Sequence, residues 1–143
     1  MSQADINAIE DIIRGMFAAI QWDQDRTPDW VGFGASVRPG AAILPSARPA
    51  TEVALDAFVA RMKGLRDQGV LSTFEETILG VDVQAFGNVA VARAAYATTV
   101  NGKPDGRGLN AFLLVKDAGA WTIAGLAWDN ESDAAPLPAD LAR

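Results

Sequence analysis

Carboxylate, hydroxyl and amide side chains are the groups in this sequence that could perform acid–base chemistry. The chain has 18 Asp and Glu residues but no His and no Cys. A thiolate nucleophile, a Ser-His-Asp triad and a zinc site of nitrogen or sulfur ligands are therefore excluded. We predict no metal site and no cofactor. Any proton transfer would depend on carboxylates, Lys, Tyr or a water molecule assisted by Arg.

Three residues are candidates for catalysis: Glu76, Tyr96 and Asp129. Glu75 and Glu76 point to opposite sides of a predicted strand, so at most one of them enters a cavity. A carboxyl group buried there would have a raised pKa and could act as a general base; the alternative is a solvated or ion-paired strand residue. Tyr96 could polarise a ligand carbonyl or only fill the core. Asp129, at a strand end, could activate a water molecule.

Five residues are candidates for ligand contact: Tyr96, Arg107, Asn110, Trp128 and Glu131. Arg107 can hold a carboxylate in a planar fork, and Asn110 offers a donor and an acceptor. An anionic ligand would explain both, but an ion pair of Arg107 with Glu76 or Asp129 is favoured, because buried charges are normally paired within the protein. Aromatic residues such as Trp128 that line a cavity would favour a flat, apolar ligand.

The spacing of apolar residues predicts three helices in the first half of the chain. In chain order they are residues 6–20, a short helix from Thr27-Pro28 to Pro39-Gly40, and residues 51–69. Ser2, with Asp5 three residues later, resembles a capping box at the start of the first helix.

The second half is rich in β-branched and aromatic residues, which predict strands. Strands are expected at residues 74–86, 89–100, 108–116 and 121–129, after a short edge strand at 41–44. We expect Gly80 to form a bulge and residues 101–107 to form a polar loop. On the last strand, Trp128 is expected on one face, and Asp129 with Ile123 on the other. Alternation alone does not show which face is concave.

Helices followed by a meander of long strands indicate an α+β protein, with the helices on one face of an antiparallel sheet. The 143 residues are an ordinary length for one domain. We predict a single domain over residues 1–133 and a loose C-terminal tail over residues 134–143.

Several short motifs, by their order and spacing, resemble the NTF2-like superfamily with its SnoaL-like and ketosteroid-isomerase-like groups. These motifs are Asp29-Trp30-Val31-Gly32-Phe33, Pro39-Gly40-Ala41, Phe74-Glu75-Glu76, Phe86-Gly87-Asn88-Val89-Ala90, Tyr96, Arg107-Gly108-Leu109-Asn110, Gly119-Ala120-Trp121-Thr122-Ile123 and Trp128-Asp129-Asn130-Glu131. The resemblance implies a cystatin-like cone, in which three N-terminal helices pack on a curved, mainly antiparallel sheet. It also implies a pocket between sheet and helices, and a homodimer formed through the sheet.

The resemblance implies no single activity, because this superfamily contains isomerases, cyclases, epoxide hydrolases, dehydratases and non-catalytic binders. We expect the cavity to bind a small hydrophobic or carbonyl-bearing ligand, and whether a reaction occurs there is left open. The alternatives are a carboxylate-driven isomerase, a polyketide-cyclase-like or epoxide-hydrolase-like enzyme, and a protein–protein interaction module. The family's epoxide hydrolases use two aspartates bridged by an arginine, and Arg93 or Arg107 with Asp129 would be the nearest analogue.

The formal net charge of −6 repels phosphate backbones and anionic lipids. We therefore expect a small molecule and a second copy of the chain as partners, and neither nucleic acid nor membrane. The sequence has no run of about 18 apolar residues, and its N-terminus lacks the basic and apolar regions of a signal peptide. A cytoplasmic location is expected on these grounds.

Overall fold

The structure is a computed structural model that describes residues 2–142, and this range contains three α-helices and one five-stranded sheet. The elements in chain order are α1 (Gln3–Ala19), α2 (Trp30–Gly34), β1 (Val37–Leu44), α3 (Leu55–Asp67), β2 (Phe74–Phe86), β3 (Val89–Val100), β4 (Lys103–Asp117) and β5 (Ala120–Asn130). The strand order is β1-β5-β4-β3-β2, with β1 parallel to β5 and the other neighbours antiparallel. The predicted α+β class is confirmed.

Side-chain caps determine where the first two helices begin. The Ser2 hydroxyl accepts a hydrogen bond from the Asp5 N–H at 3.3 Å, as the capping motif predicts. In α2 the cap is Asp29, whose Oδ1 accepts from the Gly32 N–H at 2.8 Å. The helix therefore begins after Asp29, and the predicted start at Thr27-Pro28 is wrong. Among residues 2–142, no helix has both the length and the apolar character needed to cross a membrane.

The first strand separates the second helix from the third. Residues from Val37 onward pair with β5, beginning with Val37 opposite Ile123, because the edge of the sheet offers their main chain hydrogen bonds. The predicted helix end at Pro39-Gly40 is therefore wrong, and both residues lie in β1. The structure has three helices, and α3 follows β1 as the predicted edge strand before the third helix requires, so the helices do not form one continuous N-terminal group.

The hairpin of β2 and β3 matches the prediction, whereas β4, the strand that follows it, starts earlier than predicted. β2 and β3 have the predicted bounds, and the register shift between Ile78 and Gly80 confirms the predicted bulge. β4 begins at Lys103, because Asn101 and Gly102 complete the turn with positive φ angles of 53° and 77°. The predicted loop over residues 101–107 is therefore wrong.

A second irregularity changes the facing of β5. Leu113 pairs with Gly125, but Leu114 pairs with Ile123, so β5 has one additional residue at this point. Ile123 consequently points into the core and is 1% exposed. The prediction that Ile123 shares a face with Asp129 is wrong for this reason.

The core lies between α1 and the inner face of the sheet. Ile9 and Ile13 of α1 are fully buried. The same buried core includes a row of small residues on β3, namely Ala90, Ala92 and Ala94, which are at most 3% exposed. Small side chains at the centre of the sheet leave room for the helix that covers this face.

The C-terminal segment packs on the opposite, outer face of the sheet. Leu141 is 3% exposed, and a Cβ atom added to Gly80 would lie 2.7 Å from the Leu141 carbonyl oxygen. Ala95, which pairs with Gly80 and points away from α1, is fully buried. Gly80 therefore allows the tail to approach the backbone of β2. A loose tail is the expectation from sequence; its described part is packed through Leu141.

Candidate functional site

A cavity of about 430 Å³ lies between the helices and the inner face of the sheet. Its wall includes residues of all three helices, of β1 and the loop that follows it, and of β2, β3, β4 and β5. Most of the wall is apolar. Both the volume and the lining are typical of a site for a small organic molecule.

Glu76 lies on the cavity wall in β2. It is only partly covered by protein atoms, because its exposed surface faces the cavity. Burial raises the pKa of Glu76 from 4.5 to about 7, and the side chain of Asn110 opposes this rise. Near neutral pH the carboxyl group is thus present in both forms, so it can donate or accept a proton.

Asn110 places a hydrogen-bond donor beside Glu76 that lacks a hydrogen bond of ordinary geometry. Its side chain lines the cavity and is 2% exposed, and its Nδ2 atom makes no hydrogen bond with any residue of the range 2–142. The effect of Asn110 on the pKa of Glu76 places the amide beside that carboxyl group, but the contact lies outside the distance and angle of an ordinary hydrogen bond. A buried donor left in this state costs about 1–3 kcal/mol, which an acceptor atom on a ligand would recover.

Tyr96 closes one side of the cavity with its hydroxyl group. The hydroxyl donates to Asn130 Oδ1 at 3.0 Å and lies 3.4 Å from the carbonyl oxygen of Asp129. Burial, followed by the charges of Glu76 and Asp129, raises the pKa of Tyr96 to about 12. The hydroxyl is therefore protonated at neutral pH and can serve as a donor. Gly108, opposite Tyr96 on β4, leaves space for the phenol group.

Trp128 belongs to an aromatic part of the wall. Its ring meets Phe58 of α3 edge-on, with centroids 5.8 Å apart, and Phe58 stacks on Phe33 of α2 at 5.6 Å. All three residues line the cavity. The contacts between these rings hold two helices against the sheet and provide a flat apolar surface for a ligand.

The structure brings four of the predicted site residues together at the cavity: Glu76, Tyr96, Asn110 and Trp128. Asp129 is not among its lining residues. It follows Trp128 directly and therefore points to the other face, where its side chain is 72% exposed and its Oδ2 lies 3.9 Å from the Arg48 guanidinium. The prediction that its carboxylate could activate water in the cavity has no support in this placement, although its backbone carbonyl contacts Tyr96.

Arg107 and Glu131 also lie outside the cavity. They form a two-pronged ion pair with N–O distances of 2.9 and 2.8 Å. The Leu137 N–H, which donates to Glu131 at 2.9 Å, and then Arg107 lower the pKa of Glu131. The predicted ion pair of Arg107 with Glu76 or Asp129 is wrong, because Arg107 points away from Asn110, three positions along the strand. The pair instead holds the beginning of the C-terminal tail.

The structure gives no support to the nearest analogue of an aspartate pair bridged by arginine. Arg93 contacts Asp82 at 3.1 Å on the outer face of the sheet, and Arg107 is paired with Glu131. In the part of the chain that the structure describes, no three acidic side chains form a group that could hold a metal ion.

Five polar residues of the cavity wall were not predicted from the sequence: Ser46, Arg61, Thr98, Asp105 and Asn130. Alternation could have indicated Thr98 and Asn130, which lie two positions after Tyr96 and Trp128. Arg61 and Asp105 come from a helix and a strand that are distant in sequence from the other site residues. No local signal marks them.

Comparison with solved structures identifies the architecture. A protein of unknown function with a cystatin-like fold from Nostoc punctiforme superposes with a TM-score of 0.72 at 10% identity, over 93% of this chain and 96% of that chain. An NTF2-like protein of unknown function from Pseudomonas putida also has a TM-score of 0.72, at 17% identity, over 99% and 98% of the two chains. The chain has the NTF2-like fold. An NTF2-like protein of unknown function from Shewanella baltica superposes on this fold with a TM-score of 0.63 at 14% identity, over 93% and 99% of the chains.

The sequence of this chain matches no family model and no curated protein. Identities this low establish the fold alone. The chemistry of the NTF2-like cavity must therefore be inferred from its own side chains.

Proposed function

We propose that this protein binds a small, largely apolar molecule in the cavity, with a carbonyl oxygen of the ligand at the Glu76–Asn110 end. The observation that supports this most directly is the buried Nδ2 atom of Asn110, which adjoins Glu76 at the cavity wall and makes no hydrogen bond of ordinary distance and angle. An N–H donor in that position requires an acceptor, and a protonated Glu76 would offer a second donor beside it. Trp128 and Phe58 would contact the apolar part of the ligand.

The proposal is tested with two probes of the same shape, 2-acetonaphthone and 2-isopropylnaphthalene, of which only the first has a carbonyl group. Their affinities are measured by displacement of a fluorescent dye from the wild type and from Asn110→Leu. We expect the ketone to bind about fivefold more tightly to the wild type, as one net hydrogen bond implies. We expect no such preference in the variant. Equal affinities of both probes for the wild type, or no binding of either, would contradict the proposal.

A second candidate is an enzyme in which Glu76 acts as general base. The pKa of about 7 favours it, because such a carboxylate can remove a proton at neutral pH and return it. Removal of a proton from the carbon next to a ligand carbonyl would leave an enolate, with the negative oxygen at Asn110. In D₂O the returned proton would be a deuteron. NMR should then show deuterium in the methyl group of 2-acetonaphthone, with Glu76→Gln inactive and Glu75→Gln active.

A homodimer through the sheet is also proposed, supported by the outer face. Four large apolar side chains there are 49% to 85% exposed: Phe86, Val89, Val91 and Leu113. A second copy would remove this surface from water. Analytical ultracentrifugation should show a dimer for the wild type and a monomer for Val91→Lys. A monomeric wild type would instead favour the alternative of a protein–protein interaction module with another partner. The predicted single domain over residues 1–133 is also retained as a proposal, extended by the tail that packs on the sheet through Leu141.

A further inference from the structure

Arg61 is a charged residue at the opening of the cavity. It lies in α3, three positions after Phe58 and next to Met62, and all three residues line the cavity. Met62 is buried, whereas Arg61 is exposed. The helix therefore places Arg61 where the apolar wall ends and solvent begins. Arginine suits such a place, because its stem covers apolar surface while its guanidinium stays in water.

The guanidinium of Arg61 is free to bind an anion. Within residues 2–142 it makes no hydrogen bond, and no carboxylate oxygen lies within 4.0 Å of it. It is also the one cation on the cavity wall in that range. In a chain with a net charge of −6, an anion on a ligand would be drawn to this place and repelled from most others.

The two acids on the wall determine which end of a ligand could be charged. Glu76 occupies the inner, buried part, and near neutral pH its partial negative charge disfavours an anion there. Asp105 is exposed at the opening, where it contacts the Thr98 hydroxyl at 3.4 Å. A ligand anion is therefore favoured at the Arg61 guanidinium and disfavoured beside either acid.

We propose that Arg61 binds an anionic group at the outer end of the ligand, so that the cavity selects amphipathic monoanions over neutral molecules of the same shape. This inference rests on the proposed binding function and adds the class of ligand. The apolar body would lie against the aromatic wall, the neutral polar end would meet Asn110, and a carboxylate or sulfonate would remain at the opening.

The test uses two fluorescent dyes that differ by one sulfonate group, 8-anilinonaphthalene-1-sulfonate and neutral N-phenyl-1-naphthylamine. Both are titrated into the wild type, Arg61→Gln and Lys63→Gln. Lys63 is the matched control, since it lies on the same helix, is exposed and does not line the cavity. We expect Arg61→Gln to weaken binding of the sulfonate dye about fivefold, as the loss of an exposed ion pair implies. Binding of the neutral dye should not change.

Each other outcome has a distinct meaning. Unchanged binding of the sulfonate dye in Arg61→Gln, or an equal loss of both dyes, would overturn charge recognition by Arg61. A further variant, Phe86→Ser, alters the exposed outer face of the sheet. Loss of the sulfonate-dye signal in that variant would place the dye on the outer face and would also overturn charge recognition by Arg61. If the wild type binds neither dye, the proposed binding function itself fails.

Discussion

Replacing Glu76 by Gln should remove a folding penalty that increases with pH. In the unfolded chain the carboxyl group titrates near 4.5, and in the folded protein burial raises its pKa to about 7. The folded state therefore binds this proton more tightly than the unfolded state. The corresponding stability is fully present below pH 4.5 and is lost as the pH rises to 7. The loss is nearly complete about one pH unit above the folded pKa, at about pH 8.

The pKa difference corresponds to about 3 kcal/mol of unfolding free energy. The side chain of the Glu76→Gln variant does not ionise, so the variant lacks this pH-dependent contribution to the unfolding free energy. Its stability relative to the wild type should therefore increase by about 3 kcal/mol between pH 4.5 and pH 8. Subtracting the two proteins at each pH cancels the contributions of the other carboxyl groups.

Urea denaturation at several pH values measures this difference. Glu75→Gln is the control, because Glu75 precedes Glu76 in β2 but points to the outer face, so its replacement should not reproduce the trend. If the stability difference between Glu76→Gln and the wild type did not vary with pH, the reasoning would be refuted. The reasoning would also be refuted if the stability difference between Glu75→Gln and the wild type varied with pH to the same extent.

Three further substitutions test the geometry of the site, and urea midpoints at unchanged m-value measure each of them. Asn110→Leu should raise the unfolding free energy by about 1–3 kcal/mol, because it removes a buried donor without a partner; a loss of stability would show that the amide has a partner. Tyr96→Phe should lower it by about 1 kcal/mol through loss of the bond to Asn130, and an unchanged midpoint would count against that bond. Gly108→Ala should lower it by about 1–3 kcal/mol, since the new methyl group overlaps the Tyr96 hydroxyl and the Asp129 carbonyl; full stability would contradict this packing.

Alternation along strands accounts for the site residues that could be predicted. Tyr96 and Asn110 are on the inner face because the helices cover that face of the sheet. The same rule excludes two other candidates: Asp129 is one position from Trp128, and Arg107 is three positions from Asn110. An odd spacing places two residues of an unbroken strand on opposite faces. Alternation in the sequence therefore allowed only one residue of the Trp128–Asp129 pair to face the cavity, whereas Arg107 lay in the predicted loop and could not be excluded in this way.

Other features depend on contacts between distant parts of the chain. The extra residue that turns Ile123 inward is visible only in the pairing of β4 with β5. Gly80 is recognisable as a bulge, but its second role, as the place where Leu141 crosses the sheet, is not. The position of Arg61 at the opening likewise depends on how α3 packs on the sheet, which one sequence pattern does not encode.

The Asn110 side-chain amide can be observed directly by ¹⁵N NMR while 2-acetonaphthone is added to saturation. The account predicts that its two N–H signals and the Trp128 indole N–H signal shift together in the wild type. With the hydrocarbon probe, only the indole signal should move. An Asn110 amide that stays unchanged at saturation with the ketone would contradict the claim that this cavity holds a ligand carbonyl.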